Sequence, residues 1–498
     1  MKRIIYLLAI LISLPLCAQT TSGNQNMRLT LKEAISLAKL QSLASFRQKN
    51  MYLSSYWQFR SYKARLLPSL NLNTSPFNYS ASNTQTYDYE GKPRFTYNEA
   101  INTSASLSVD QNIKMTGGKL SLSSDFQGIY NLNDSTSRKE SYNVVPISIR
   151  LSQPLNGYNQ FKWEAKLEPL AFDKAKKTFL KEMEALSEQA VGVFFGAVNA
   201  EIGVKIAQTN LANADTLHRI GKGRFQIGTI TQNDLLDLEL TYLNAKLSKT
   251  KAEIALQRAR QQLNSFLSIN KDIQIVPLIP DQIPTLKIES DQAIGLAKEN
   301  SPEILGYEEQ LINANKNVAQ AKSTNGITAN LSANLGINKN TNQLTDAYSS
   351  PYNDNKGIGV SLQMPIVDWG NRKGNIQMMK SQKQVTDATI KQALIDFEQN
   401  VIMQVLEFNL QEEQVEIAAK ADTIAQRGYE VTKQRFLIDK VDVLKLNTAR
   451  NSLDNSKRSY ISAIQTYWSA YYSIRKSTLY DFEKNQYLTV DFEALLQQ

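Results

Sequence analysis

One histidine and one cysteine occur among 498 residues. A single residue of each type leaves no material for a His/Cys metal cluster, a thiol–imidazole catalytic pair or a disulfide framework. The 13 prolines and 21 glycines lie near or below the usual share of a soluble chain, which favours long uninterrupted helices over a loop-rich fold. No run of five basic residues accompanies the net charge of +9, so the chain lacks the basic stripe of a nucleic-acid binder. Acid/base pairs, activated nucleophiles and phosphate loops are also missing. Glu182 and Glu184 read as helix-surface charges, and the chain is expected to be no enzyme, with no cofactor and no metal. Beyond the N-terminus there is no long apolar run, so no helical membrane anchor is expected, and entry into a membrane requires strands.

The N-terminus has the composition of an export signal. Lys2 and Arg3 precede the apolar run from Ile4 to Leu16, followed by Leu16-Cys17-Ala18-Gln19. These are a basic n-region, an h-region and a cleavage site, giving a signal peptide over 1–19. The run is shorter than the roughly 20 residues of a membrane span. Acylation of Cys17 is the alternative, although Leu16 stands where a small residue belongs.

The remainder repeats itself. Ala34-Ile-Ser-Leu-Ala-Lys39 and Ala293-Ile-Gly-Leu-Ala-Lys298 lie 259 positions apart, as do Leu70-Asn71-Leu72 and Ala329-Asn330-Leu331. Arg224-Phe225 and Arg435-Phe436 lie 211 apart. A duplicated domain accounts for this, with repeat 1 over 20–287 and repeat 2 over 288–498. The first repeat carries 48 extra residues, the drop from 259 to 211, in its strand region.

Each repeat contains segments of strict period two. Ala329, Leu331, Ala333, Leu335 and Ile337 alternate with polar or small residues, as do Ile358, Val360, Leu362 and Met364. In the first repeat Ile101, Ala105, Leu107 and Val109 form one such series, and Val145, Ile147, Ile149 and Leu151 another. Such segments suit transmembrane strands with one lipid face and one wet face; a soluble one-sided sheet shows the same alternation. Polar segments 81–99 and 339–356, with Tyr87, Tyr89, Tyr97, Tyr348 and Tyr352, fit long outer loops with interfacial tyrosines and favour the barrel. Trp163 and Trp369, just past strand ends, suit the same interface.

Two long helices are expected over 162–225 and 371–435, each about 95 Å long at 1.5 Å per residue. Apolar residues fall at three/four spacing, as in Leu180, Met183, Leu186, Ala190, Phe194 and Ala197. Shorter helices over 30–67 with 231–267, and over 291–322 with 442–482, sum to nearly the same lengths. Stacked end to end, each pair lines one long helix as a coiled-coil wall.

Gln363-Met-Pro-Ile-Val-Asp-Trp-Gly-Asn-Arg372 after alternating strands and before a long helix, its counterpart Ser152-Gln-Pro-Leu-Asn-Gly-Tyr158, and the turn Arg224-Phe-Gln-Ile-Gly-Thr-Ile-Thr-Gln-Asn-Asp-Leu-Leu236 resemble the TolC-like outer membrane efflux protein (outer membrane factor) family. Both repeats carry the pattern, in family order, over nearly the whole mature chain. The resemblance implies a mixed α+β membrane protein. Its outer-membrane β-barrel is formed by a homotrimer, with about four strands per chain (69–155, 328–338 and 357–365). The barrel continues into an α-helical coiled-coil tunnel in the periplasm. The implied function is the outer-membrane exit duct of a tripartite efflux system, passing small molecules. Its implied partners are outer-membrane lipid, a periplasmic membrane-fusion adaptor and an inner-membrane pump. A type I protein secretion duct and a non-channel periplasmic coiled-coil scaffold are the alternatives.

The sites implied lie at the helical tips. Arg224, Phe225 and Gly228, with Arg435, Phe436 and Asp439, correspond to adaptor-docking tips; Gly228 also fits a left-handed turn. Asp234, Asp442 and Lys445 correspond to a periplasmic gate, with helix capping as the plainer role of the aspartates. The chain departs from the family in three places. An inserted hairpin at 101–131, around Lys114-Met-Thr-Gly-Gly118, is expected to lie outside the barrel. Asp439 replaces the tip glycine, and Lys445 replaces an acidic residue. Counting from Arg435 to Asp442 against Arg224 to Asp234, the second tip is three residues shorter. His218 reads as a solvated helix residue.

Overall fold

A computed structural model describes residues 26–132, 140–270, 273–279, 283–438 and 440–496. The signal peptide over 1–19, Cys17 and Asp439 lie outside the described residues. The chain runs β1 (Asn26–Leu29), α1 (Leu31–Gln41), α2 (Leu43–Arg65), β2 (Ser69–Tyr87), β3 (Pro93–Ile113), β4 (Gly118–Asn131), β5 (Glu140–Pro154), α3 (Gln160–Gln226) and α4 (Gln232–Phe266). It continues β6 (Gln274–Pro277), α5 (Ser290–Asn300), α6 (Pro302–Thr324), β7 (Thr328–Thr341), β8 (Asn353–Gln363), α7 (Asn371–Leu437), α8 (Val443–Thr478), β9 (Tyr480–Asp481) and β10 (Gln486–Tyr487).

The repeat is visible in the elements. The helices α1 and α5 have 11 residues each, α2 and α6 have 23, and α3 and α7 have 67. Each of the expected helices over 30–67 and 291–322 is therefore two helices, broken at Ser42 and Ser301. Both serines are extended, and their N–H groups close the preceding helix on Ala38 and Ala297. Ser301 also begins the next helix, its hydroxyl accepting from the Glu303 N–H, with Pro302 at a position where a missing N–H costs nothing. At 67 residues, α3 and α7 are about 100 Å long.

Two compact units divide the chain, each drawing on both repeats. One comprises the described parts of 1–46, 185–285 and 410–472. Its buried residues include Phe194 and Phe195 of α3, Leu263 of α4 and Ile464 and Tyr467 of α8, all nearly inaccessible. Parallel pairing of β1 with β6 buries Leu29 and Ile275 there. The most apolar window of α3 is long enough to cross a membrane, yet half of it is buried. It serves as core.

The second unit comprises 47–184, 286–409 and 473–496 and holds a six-stranded antiparallel sheet of order β2-β3-β4-β5-β7-β8. The inserted hairpin, expected outside, lies within this sheet: β3 and β4 separate β2 from β5. Each chain thus contributes six strands to one sheet rather than about four. The physical reason is register. Leu70 faces Val109, Val109 faces Leu122, Leu122 faces Ile149, Ile149 faces Leu335, and Ala333 faces Ile358. Directly opposed residues share a face, so one apolar row runs from β2 to β7, and on β8, where Leu335 meets Lys356, the same face continues with Ile358 opposite Ala333. Segment 81–99, expected as a loop, extends the β2–β3 ribbon to Tyr87 and Pro93. The expected apolar position Val145 is displaced by a bulge beside Pro146, which has no N–H for the ladder. Val144, opposite Phe126, is the fully buried residue there.

A buried ion network lies in the same unit. Arg475 donates from Nε to Glu184 at 3.0 Å and from Nη1 to Asp481 at 2.7 Å, and both carboxylate side chains are 4% exposed. Glu184 is therefore no surface charge. Its partner, 291 positions away, cannot be read from local sequence.

Candidate functional site: the two helical tips

The first tip closes α3 with a left-handed turn. Gly228 has a φ of 80°, a conformation that costs L-residues with a Cβ. Its N–H donates to Phe225 O at 3.0 Å, and the Thr229 N–H donates to Arg224 O at 2.9 Å. These bonds satisfy carbonyls at the helix end. Thr231 then caps α4 in a reciprocal box. Its side chain accepts from the Asp234 N–H, while its own N–H and hydroxyl donate to Asp234 Oδ2 at 3.0 and 2.6 Å. The Thr231 hydroxyl and backbone N–H hold the Asp234 carboxyl below its usual pKa.

The second tip follows the first at the 211-residue offset. The Lys440 N–H donates to Arg435 O at 2.9 Å, matching Thr229 to Arg224. Asp442 caps α8 by accepting the Lys445 N–H at 2.7 Å. The counterpart of Asp442 is thus Thr231, not Asp234, and Lys445 is the counterpart of Asp234. The tips have equal length; the apparent three-residue shortening came from aligning two aspartates with different places in their caps.

The tips differ in what they bury. Phe436 is 8% exposed and packs with Tyr429 and Leu446, whereas Phe225 is 41% exposed. Tyr429 is also bonded by Asn213 Nδ2 at 2.8 Å. A cavity of about 540 Å³ brings the two tips together, lined by Arg224, Asp234, Asp237, Phe436, Asp442 and Asn447. Both aspartates of the expected gate therefore border one space, with Lys445 outside its lining. Asp237 joins them, one helical turn after Asp234, a spacing the sequence displays.

Further along α8, Asn447, Arg450, Asn451, Asp454, Asn455 and Arg458 line a second cavity of about 610 Å³. Their three/four spacing puts them on one helix face, a stripe the sequence reading passed over. His218 is likewise not simply solvated: its ring stacks on Tyr242 at 5.6 Å, and Nε2 is buried without a partner.

Residues 293–478 match the sequence model of the outer membrane efflux protein family. No curated protein matches the chain in sequence. Among solved structures, the CmeC outer membrane channel of Campylobacter jejuni superposes with a TM-score of 0.65 and 16% identity, covering 94% of this chain and 88% of that one. The outer membrane protein VceC of Vibrio cholerae gives 0.61 and 13% over 90% and 95%. The open MtrE outer membrane channel of Neisseria gonorrhoeae gives 0.57 and 15% over 90% and 88%. The second repeat thus carries the sequence pattern of the outer membrane efflux protein family, a family of non-enzymatic channels, and the whole chain has the fold of its solved channels.

Proposed function

We propose that the protein is the outer-membrane exit duct of a tripartite efflux system. Three copies close their sheets into one barrel in the outer membrane. Their helices extend into the periplasm and meet an adaptor at the tips, through which an inner-membrane pump delivers small molecules. The observation that carries this reading is the sheet. Its face bearing Leu70, Leu107, Leu122, Ile149, Leu331 and Val360 is apolar, its opposite face is polar, and β2 and β8 end it as edge strands. In lipid, unpaired backbone edges cost several kcal/mol per group, so such a sheet requires closure by further copies. Detergent-extracted protein is expected to have the mass of a trimer, and a folded monomer would remove the model. A strain lacking the chain is expected to accumulate small toxic amphiphiles, with restoration by the plasmid-borne gene; unchanged accumulation in the deletion strain counts against efflux.

At the tips, Asp442 and Asp234 supply acidic rings in a trimer, and Lys445 offsets part of their charge. Asp442→Asn retains a capping side chain while removing the charge. It is expected to lower cation preference and weaken multivalent-cation block in planar bilayers, whereas Lys445→Ala is expected to raise cation preference. Wild-type selectivity in both variants would place these residues away from the permeation path and leave Asp442 as a cap, worth about 1 kcal/mol.

A further inference from the structure

We infer that the assembled barrel has eighteen strands, six from each of three chains, and is therefore wider than a barrel built from four strands per chain. The inference rests on the trimeric reading above, but its evidence is separate: the place and chemistry of β3 and β4. A hairpin outside the membrane needs no lipid face. Yet Leu107 and Val109 of β3, and Leu120, Leu122 and Phe126 of β4, fall on the same face as Leu70 and Leu72 on one side and Ile149 and Leu151 on the other. Several of these are exposed in the single chain, among them Leu107 at 46% and Leu122 at 40%. Apolar side chains facing out of both inserted strands are the pattern of a barrel wall.

The opposite face is built for water. Asp110 accepts from Ser121 at 2.6 Å and from Asn71 at 3.2 Å, and pairs with Lys119 at 3.3 Å. One carboxylate thereby links β2, β3 and β4 on the polar side. Asp125 accepts from Ser123 within β4, at 2.9 Å, and from Ser106 of β3, joining those two strands. Charged groups bonded across neighbouring strands belong to a hydrated lumen.

The hairpin is also fastened at its helix-side end. Its turn has Gly117 at a φ of 79°. The carbonyls of Lys114 and Met115 accept from Asn159 Nδ2 at 3.1 and 3.0 Å, and Asn159 Oδ1 accepts the Lys162 N–H near the start of α3. Gln111 and Asn112 donate to Leu66 O and Arg65 O, where α2 ends. These bonds align β3 and β4 with the strands that carry helices, so the inserted pair shares their height in the wall.

Barrel diameter grows roughly linearly with strand number, so eighteen strands against twelve widen it about one and a half times, into the range of about 16–18 strands where an aqueous channel remains open. The barrel then sets no tight size limit, and selection of cargo by size falls to the helical end.

Electron cryomicroscopy of the full-length protein in lipid nanodiscs tests this by strand count, after its mass has fixed the number of chains. Eighteen strands in a trimer is the expected result. A trimer with twelve, its β3–β4 hairpin outside the wall, overturns the inference and leaves the duct reading intact. A mass other than a trimer's overturns the assembly reading and this inference with it. A second measurement needs no image. Leu107→Cys and Leu122→Cys are expected to lose labelling by a bilayer-impermeant maleimide in proteoliposomes, whereas Ser108→Cys and Ser123→Cys label, with the unsubstituted chain as control. Equal labelling of both faces overturns the inference.

Discussion

Gly228→Pro is expected to abolish export while leaving trimers in the outer membrane. Gly228 holds a φ of 80° and gives its N–H to Phe225. Proline fixes φ near −65° and has no N–H, so the turn must be rebuilt and a bond worth about 1 kcal/mol is lost. The turn is the short connection between a 67-residue helix and the Thr231 cap; rebuilding it redirects Arg224 and Phe225. The sheet belongs to the other compact unit and is untouched. Gly228→Asn and Gly228→Asp, whose short polar side chains tolerate left-handed backbone, are expected to export nearly normally. Normal efflux by the proline variant at normal expression would falsify docking at this tip.

The largest loss of stability is expected from Arg475→Met. Two carboxylates, Glu184 and Asp481, are then left buried without the guanidinium that joins them. Breaking a buried pair by removing one partner costs about 3–5 kcal/mol. Thermal unfolding of the detergent-solubilised protein is expected to show a clear fall in midpoint, and Arg475→Lys, with charge but no planar fork, an intermediate one. A midpoint equal to wild type in Arg475→Met would mean that the carboxylates find water in solution.

Period and offset make most of this architecture legible in the sequence. Alternation locates the strands because each has one apolar face, and three/four spacing locates the helices. The doubled motifs give the repeat and its tips. What escapes is what depends on partners distant in sequence. The break at Ser301 has a local sign in Pro302, whereas Ser42 has none, and only the 259-residue offset exposes it. The inserted hairpin has the right alternation, but whether it joins the wall is decided by the rows it meets in β2 and β5. Glu184 resembles its neighbour Glu182 until Arg475 is placed against it. At the tips, matching aspartate to aspartate conceals that a cap begins with Thr231 in one repeat and with Asp442 in the other.

That equivalence of the tips has a stoichiometric consequence. One chain offers two loops of the same length and the same Arg224- or Arg435-anchored hydrogen bond, but their caps carry different charge. Thr231 with Asp234 is acidic, and Asp442 with Lys445 is neutral. A trimer built from such chains presents six loops of one length in two chemistries. A partner surrounding it can bind as three subunits that each read a Thr231 tip and an Asp442 tip, or as six identical subunits in two chemically unlike positions. In the second case a partner that meets Asp234 with a cation is expected to leave those three positions first as salt rises, with half the ring still occupied.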